Sequence, residues 1–452
     1  MVKVKTQFVC QQCGATYGKW QGRCDNCGEW NTLIEQVPTS TAQSSVAKAG
    51  QSGKKLNVQP IKDAKADTKN SKRISTGVED LDTVLGGGIV RGSVTLLAGQ
   101  PGIGKSTILL QLAAHIAKDH PVLYISGEES AHQVALRASR LGADTNERLD
   151  FAASTSANDI AATIQDGGYG LVIVDSIQTM SVDEMTSAPG TVSQITNSSN
   201  VLIRAAKSAG SAVILVGHVT KEGSIAGPKV LEHLVDVVLQ FEGDRYGGFK
   251  VVRAAKNRFG STSEAAIFEM YEQGLRVVEN PSAALLAERQ SADGSVVLAT
   301  LEGTRPLLVE IQALVNPTSF GYPKRTASGF DLNRLNLLIA VLERRTKLNL
   351  SDKDIYINVV GGLKLVDQAA DLAICMAIAS AAAGKRIEDD VVVFGEVGLG
   401  GEIRTVIGAD KRIAEAKKLG FKRAVAPKQS QKNEFITPVG DVRAALIDYL
   451  RQ

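Results

Sequence analysis

The chain contains the nonapeptide Gly99-Gln100-Pro101-Gly102-Ile103-Gly104-Lys105-Ser106-Thr107 between an apolar stretch, Val94 to Ala98, and an amphipathic one, Ile108 to Ile116. This order indicates a strand, a glycine loop and a helix, and the glycines, lysine and serine have phosphate-loop spacing. Glycines let backbone N–H groups turn toward a phosphate, and the helix start adds partial positive charge. The nonapeptide therefore predicts binding of a nucleoside triphosphate, with Lys105 on the β- and γ-phosphates and Ser106 on Mg²⁺.

Chain length, net charge and the length of the apolar runs limit the class of protein. With 452 residues, the chain is expected to form two or three domains. A formal net charge of +3 gives no bulk argument for nucleic-acid binding, so any DNA site must be local. The first ten residues lack a signal-peptide core, and the longest apolar run, 372–383, is too short to span a bilayer. The sequence therefore predicts a cytoplasmic protein without membrane partners.

Four of the five cysteines lie in the first 27 residues, as the pairs Cys10–Cys13 and Cys24–Cys27. Two such turns can close a tetrahedral thiolate site, so residues 1–35 are predicted to be a four-cysteine zinc module. The alternative is a redox dithiol. Trp20 and Trp30 are expected to cover the metal site, and the isolated Cys375 is expected to be an inert core residue.

Composition divides the rest of the chain. Residues 36–72 are rich in Ser, Ala, Gln, Lys and Gly and are predicted to be a flexible linker. Residues 73–280 alternate apolar strands with helical stretches, which favours an α/β domain with a parallel sheet, and hairpins are expected near its end. Residues 281–452 are predicted to form a second α/β domain.

Acidic residues follow two predicted strands of the first α/β domain. The strand 171–174 runs into Asp175, an arrangement typical of the carboxylate that holds Mg²⁺ through water beside a phosphate loop. Glu128 and Glu129 follow the strand 122–126, where a carboxylate can deprotonate the attacking water. Glu128 is the favoured base. Helix capping is the alternative interpretation.

Three basic side chains are further candidates. His218 ends the strand 212–217 and is expected to contact the γ-phosphate, unless it is merely structural. Lys256 and Arg258 are two residues apart on a strand, so both can point at one target, such as a phosphoryl transition state on a neighbouring subunit. Ordinary solvated charge is the alternative for this pair.

Together these residues resemble the bacterial RadA/Sms family of DNA repair proteins. The resemblance covers the whole chain and rests on several motifs besides the phosphate loop and the cysteines. They are Ser75-Thr76-Gly77, Leu85-Gly86-Gly87-Gly88, Gly127-Glu128-Glu129-Ser130 and Lys256-Asn257-Arg258-Phe259-Gly260. It implies a RecA-like P-loop ATPase core in a homo-hexameric ring that translocates on DNA and promotes branch migration in homologous recombination. Single-stranded and branched DNA and the RecA filament are the implied partners.

The same resemblance implies roles for particular segments. Lys256 and Arg258 would act in trans within the ring. DNA would pass through a central channel lined by the candidate loops 179–191 and 220–229, although either segment can also be an ordinary surface loop.

The C-terminal domain resembles the Lon protease domain, most closely over residues 302–313. Lon proteases use a Ser–Lys dyad, but Ala369 stands where the nucleophile would be, and Lys411 is no convincing match to the dyad lysine. Without a hydroxyl there is no acyl-enzyme, so the domain is predicted to be a scaffold without protease activity. Its basic residues are equally well explained as DNA-phosphate contacts or as solvated charges; they are Lys324, Arg325, Arg334, Arg344 and Arg345.

Three functions of different classes therefore compete. The first is an ATP-driven DNA motor of recombinational repair, the second an ATP-dependent protease or unfoldase, and the third an ATP-regulated signalling ring. The missing serine argues against proteolysis, and DNA-stimulated ATPase activity separates the motor from the ring.

Overall fold

The structure, a computed structural model, describes residues 7–10, 15–26, 28–36, 73–218, 230–243, 249–319, 321–428 and 433–450. The chain divides into two compact units, residues 1–241 with 254–261, and residues 242–253 with 262–452. The strands between 262 and 280 therefore belong to the C-terminal unit, whereas the sequence placed them with the ATPase domain. The predicted linker, 36–72, lies outside the described residues from 37 onward.

The first unit begins with a small antiparallel sheet of order β2-β1-β3. Its strands are β1 (Gln7–Cys10), β2 (Thr16–Tyr17) and β3 (Leu33–Gln36). Cys10, Cys24 and Leu33 form its buried centre. We call residues 7–36 the ribbon.

A parallel sheet of order β9-β4-β8-β7-β5-β6 is the core of the first unit. Its strands are β4 (Val94–Gly99), β5 (Val122–Ser126), β6 (Leu149–Ala153), β7 (Leu171–Asp175), β8 (Ala212–His218) and β9 (Val237–Gly243). Its helices are α1 (Glu79–Val84), α2 (Lys105–Ile116), α3 (Ala131–Arg140), α4 (Ala157–Asp166), α5 (Val192–Ala209) and α6 (Val230–Leu234). Every residue of β4, β5 and β7 is buried, as expected for parallel strands covered on both faces.

The strand register aligns the polar ends of this sheet. Gly99 at the end of β4 is the register partner of His218 on β8. Ser126 at the end of β5 is likewise paired with Asp175 on β7. Four carboxyl ends therefore meet at one edge, where the phosphate loop leaves β4. This is the edge at which open α/β sheets bind ligands.

The hairpins that the sequence predicts form an antiparallel meander. It belongs to the second unit except at the end of its first strand, where residues 254–257 belong to the first. Its strands are β10 (Phe249–Asn257), β11 (Ala265–Tyr271) and β12 (Gly274–Val277), followed by α7 (Pro281–Leu286). A mixed seven-stranded sheet of order β15-β16-β14-β13-β17-β20-β21 follows. Its strands are β13 (Ser295–Glu302), β14 (Arg305–Pro317), β15 (Arg325–Ser328), β16 (Lys353–Val359), β17 (Val391–Val393), β20 (Arg423–Pro427) and β21 (Ile436–Val439).

The remaining elements of the second unit surround a buried helix, α9 (Ala370–Ala383). They are α8 (Leu332–Thr346), β18 (Glu396–Val397), β19 (Ile403–Arg404), α10 (Ala409–Lys418) and α11 (Val442–Leu450). The first eleven residues of α9 are all buried, which explains why its sequence is apolar apart from Asp371 and Ser380. Cys375 lies among them, as predicted, and burial raises the pKa of its thiol, which makes it inert. No helix of the described segments is both long and apolar enough to cross a membrane.

Candidate active site

The phosphate loop requires glycine at two positions for different reasons. Gly104 precedes α2 with a φ of 116°, a left-handed conformation that side chains disfavour. At Gly99 the obstacle is space, since an added Cβ would lie 2.6 Å from the carbonyl oxygen of Phe241. The phosphate loop therefore packs closely against β9 and leads into α2. The N–H groups in the first turn of α2 have no carbonyl partner within the helix. Those groups can cradle a phosphate.

Lys105 is turned back onto its own loop. Its Nζ donates to the carbonyl oxygens of Gly99 at 2.8 Å and Gln100 at 3.0 Å, and it lies 3.2 Å from Nδ1 of His218. The side chain is buried, and this burial lowers the pKa of Lys105 to about 8, although Asp175 and Glu128 act in the opposite direction. A bound triphosphate would replace these carbonyls with charged oxygens.

Glu128 lies at the end of β5 and faces this lysine. Its Oε1 accepts a short hydrogen bond from Ser176 and lies 3.4 Å from Nε2 of His218. The hydrogen bond with His218 is the largest cause that lowers the pKa of Glu128 to about 2; burial opposes it, and Ser176 assists. Glu128 is therefore ionised and able to accept a proton.

Neither Glu128 nor Glu129 is the capping residue of α3 in the structure. Ser130 caps α3, and Gln133 completes a reciprocal capping box. Glu129 instead forms a bidentate pair with Arg137, with distances of 2.5 and 2.6 Å. Of the two carboxylates, Glu128 alone faces the phosphate loop through Lys105 and His218.

Asp175 ends β7, two strands away from β4, because β8 lies between them. Its carboxylate is buried and accepts a 2.7 Å hydrogen bond from the hydroxyl of Tyr124. A carboxylate and the hydroxyl of Ser106 are the oxygen donors that Mg²⁺ prefers. Asp175 and Ser106 therefore fit a Mg²⁺ site, in which the ion would neutralise phosphate charge.

His218 links the two halves of the site. Its Nδ1 faces Lys105 and its Nε2 faces Glu128, so one imidazole bridges the phosphate-binding cation and the candidate base. The structure thus brings together Lys105, Glu128, Asp175 and His218, as the sequence predicted. It adds Ser176 and Tyr124, which the sequence analysis missed because a serine and a tyrosine carry no distinctive spacing.

Lys256 and Arg258 have partners within their own chain. Lys256 Nζ donates to the carbonyl oxygens at the end of α6, at 2.7 Å from that of Glu232 and 2.7 Å from that of Val235. Burial and then neighbouring Arg258 lower the pKa of Lys256. Arg258 pairs with Asp236 at 3.0 Å, but its side chain is 53% exposed. A role in trans is therefore easier for Arg258 than for Lys256.

The ribbon contains two loops built alike. The backbone N–H of Cys10 donates to Ala15 at 2.8 Å, and that of Cys24 donates to Glu29 at 2.8 Å. Both sulfur atoms are buried, close to the hydroxyls of Thr32 and Tyr17 respectively. Two buried thiols in equivalent turns fit a tetrahedral zinc site that also uses Cys13 and Cys27, which lie outside the described residues.

The tryptophans of the ribbon do not cover this site. Trp20 is 58% exposed and Trp30 is 67% exposed, which corrects the expectation from sequence. Arg23 lies over the Trp30 ring at 5.9 Å and bonds to the carbonyl of Gly28. Among the described residues, Leu33, Phe8, Ala15 and Tyr17 pack around the cysteines, and the indole rings do not.

Only one of the two candidate channel loops lies within the described residues. Residues 219–229 lie outside the described segments. In the loop 179–191, Met180, Val182 and Met185 are buried, and the exposed part carries Asp183 and Glu184 without any lysine or arginine. This loop therefore offers no cation to DNA phosphates, whereas the undescribed loop contains two lysines.

In the Lon-like domain, Asp367 and Arg412 form an ion pair next to Ala369, the position of the Lon nucleophile. Ala369 is buried, and its N–H donates to Asp367 Oδ1 at 3.0 Å, while Arg412 donates to Asp367 Oδ2 at 2.6 Å. Arg412 is also buried, whereas Lys411 reaches the carbonyl of Thr304. An arginine stays protonated and cannot be a general base. Arg334 pairs with Asp371 and so has a structural role.

Three family models match parts of the chain. They are a rubredoxin metal-binding domain over residues 8–35, an AAA domain over residues 64–224, and subunit ChlI of Mg-chelatase over residues 335–430. The crystal structure of the RadB recombinase is 22% identical, with a TM-score of 0.37, and matches 46% of this chain and 100% of that chain.

Curated relatives match nearly the whole chain. The DNA repair protein RadA of Halalkalibacterium halodurans is 49% identical, over 94% of this chain and 93% of the relative. That of Pseudomonas aeruginosa is 47% identical, over 94% of each chain. That of Aquifex aeolicus is 45% identical, over 99% of each chain.

The fold and the site define a P-loop ATPase with an AAA domain, an N-terminal rubredoxin-type metal-binding ribbon and a C-terminal domain similar to subunit ChlI of Mg-chelatase. Within that class, identities of 45–49% over almost the full length place the chain in one family. It belongs to the RadA family of bacterial DNA repair proteins.

Proposed function

We propose that this protein is a DNA-dependent ATPase that acts as a hexameric DNA translocase and helicase. It would promote branch migration and the processing of recombination intermediates in homologous recombination and repair. The observation that carries the proposal is the cluster of Lys105, His218, Glu128 and Asp175 at the edge of a parallel sheet above a phosphate loop. The DNA substrate is inferred from the names of the relatives, which are DNA repair proteins.

Each residue of the site would have its own role in ATP hydrolysis. Lys105 would leave its bonds to two carbonyl oxygens and neutralise the phosphates of ATP. Glu128 would accept a proton from the attacking water, while Ser176 holds its carboxylate in place. His218 would then exchange its contact with Lys105 for the γ-phosphate and report its presence through Glu128. Ser106 and Asp175 would hold Mg²⁺.

Arg258 would stabilise the transition state on the neighbouring subunit. Its half-exposed guanidinium supports that role, and the three carbonyl contacts of Lys256 support a structural role for the lysine within its own subunit. Single-stranded and branched DNA and the RecA filament are the proposed partners, with the loop 220–229 as the better candidate for contact in a central channel.

Proteolysis is the rival function, and the C-terminal unit argues against it. Ala369 lacks a hydroxyl, and Asp367 is already shared between its N–H and the Arg412 guanidinium. We therefore propose that this domain is a scaffold. Failure to degrade casein with ATP would support the scaffold, and degradation would overturn it.

ATP turnover should be measured with single-stranded DNA, with duplex DNA and without DNA. The variants Lys105→Ala and Glu128→Gln should lose turnover, and only Glu128→Gln should still bind ATP. Glu129→Gln is the matched control, since that carboxylate pairs with Arg137 and should retain turnover. Equal rates with and without DNA would contradict the proposed motor, and normal turnover in Lys105→Ala would contradict the site.

A further inference from the structure

Glu35, near the end of β3, joins the ribbon to the start of α5. Its carboxylate Oε1 accepts a 3.1 Å hydrogen bond from the hydroxyl of Thr186. Its carbonyl oxygen accepts from the Ser193 hydroxyl at 2.5 Å and from the Asn197 amide at 3.3 Å. Glu35 is 6% exposed. A buried glutamate with three side-chain donors fixes the ribbon on the ATPase core, which the sequence interpretation of separate modules did not anticipate.

The same turn of α5 also holds the segment that precedes it. The side chain of Gln194 is buried, and its Oε1 accepts from the N–H of Val182 at 2.9 Å. Its Nε2 donates to the carbonyl of Ser187 at 2.8 Å. Gln194 therefore fastens residues 182–187 to α5, one position along the helix from the serine that holds Glu35.

The other end of this segment lies in the candidate active site. Ser176, which donates to Glu128, begins it. Ser181 then exchanges backbone hydrogen bonds with the chain around α4, since its N–H donates to Thr155 and its carbonyl accepts from Ala157, each at 2.8 Å. One continuous, hydrogen-bonded segment thus runs from the candidate base to the ribbon.

We propose that Glu35 is a positioning residue: through it the metal-loaded ribbon holds the segment 181–191, and that hold sets how strongly DNA stimulates hydrolysis. The proposal rests on the proposed function. Its physical basis is one stretch of chain that bonds to Glu128 through Ser176 and to Glu35 through Thr186, so that a change at one end can be felt at the other.

The test uses the full-length protein with Glu35→Ala and Thr186→Val, which remove the same hydrogen bond from opposite sides. Glu29→Ala is the matched control, because Glu29 is an exposed ribbon glutamate. Zinc content, hydrogen–deuterium exchange of residues 177–197, and ATPase rates with and without single-stranded DNA are measured for each. Thr186→Val lies outside the ribbon, so it decides the outcome if Glu35→Ala impairs zinc binding.

We expect both variants to keep their zinc and to exchange amides 181–194 roughly tenfold faster, since exchange reports local opening. The ratio of DNA-stimulated to DNA-free hydrolysis should change several-fold, while the KM for ATP and the DNA-free rate stay within about twofold. Glu29→Ala should match the wild type in every measurement.

Wild-type exchange in both variants would overturn the proposal. Faster exchange with an unchanged DNA response would overturn it too, because Glu35 would then be only a structural anchor. A wild-type enzyme without DNA stimulation would instead refute the proposed function, and exchange alone would then decide whether Glu35 positions the segment.

Discussion

Lys105 and His218 are 113 residues apart in the chain, yet the Nζ of the lysine lies 3.2 Å from Nδ1 of the histidine. The strand register explains the contact, because Gly99, which opens the phosphate loop, is the direct partner of His218. The phosphate-binding cation is therefore held by an imidazole nitrogen and by carbonyl oxygens. ATP must displace these partners, so nucleotide affinity depends on the charge of Lys105.

ATP binding should weaken as the pH rises through the pKa of Lys105. Burial lowers that pKa to about 8, and bound phosphates should raise it, so ATP binds the protonated form. Raising the pH from about 7.5 to about 9 should weaken the affinity roughly eightfold, because most of the free enzyme then holds a neutral lysine. Titration with a fluorescent, non-hydrolysable ATP analogue measures this.

Lys105→Arg is the control for this prediction. Arginine stays charged at these pH values. The affinity of this variant for ATP should therefore not fall in the same pH range, although it should be lower than that of the wild type. A wild-type affinity that is flat between these pH values would show that Lys105 is not the titrating group.

Metal analysis should find about one zinc per chain, since four thiolates close one tetrahedral site. Cys24→Ser should lose the zinc, because its sulfur is buried in one of two equivalent loops. The matched control is Cys375→Ser, whose thiol is buried in α9 and should leave the zinc content unchanged. Full zinc occupancy in Cys24→Ser would contradict the site.

If the predicted linker were all that connects the ribbon to the ATPase core, loss of zinc would leave the core untouched. The contacts of Glu35 with α5 change that expectation. In Cys24→Ser, hydrogen exchange should rise in β1 and β3 and also in residues 181–191. DNA-free hydrolysis should persist, because Lys105 and Glu128 have their own partners in the parallel sheet.

Ala369→Ser should not create a protease. The new hydroxyl would be buried at the start of α9, and the nearest basic group through Asp367 is Arg412, which stays protonated. A serine needs a positioned base to attack a peptide bond. Fluorogenic peptide cleavage by the variant, with ATP and with DNA, checks this; cleavage above the wild-type level would show that the domain retains a working base.

The main strands of the site were predictable because their signal is local. A parallel strand buried on both faces is a short apolar run. β7 and β8 end at the site residues Asp175 and His218, and β4 and β5 lead into the phosphate loop and Glu128. The sequence analysis did not identify β6, whose burial is mixed because it lies at the sheet edge, as a strand. Local patterns favour buried central strands over such edges.

Partners distant in the chain could not be predicted. The contact of Glu35 with Thr186 spans 151 residues. The ammonium group of Lys256 contacts three backbone carbonyl oxygens, and no rule of sequence spacing predicts these contacts. The exposed tryptophans were also predicted wrongly. Aromatic residues beside cysteines suggest a cover, but only the folded ribbon shows that Leu33, Phe8 and Tyr17 pack around the cysteines while the tryptophans are exposed.

Arg258→Ala should retain ATP binding and lose DNA-stimulated hydrolysis. Its guanidinium is half exposed and pairs only with Asp236 among its contacts in the described chain, so it is available to a neighbouring subunit. Trans-acting cations contribute about 10³–10⁵ in rate in other phosphoryl-transfer systems, so the defect should be large. Lys256→Ala should differ: it removes the donor to the end of α6 and should lower the melting temperature.

A mixing experiment distinguishes action in trans from action in cis. Arg258→Ala subunits and Glu128→Ala subunits are each expected to be inactive alone. In mixed rings, some interfaces place an intact Glu128 beside an intact Arg258 from the neighbour, so partial activity should return and depend on the mixing ratio. Co-assembly must be shown independently, for example with differently tagged subunits. Co-assembled rings that recover no activity would favour a role for Arg258 within its own subunit, where Asp236 already holds it.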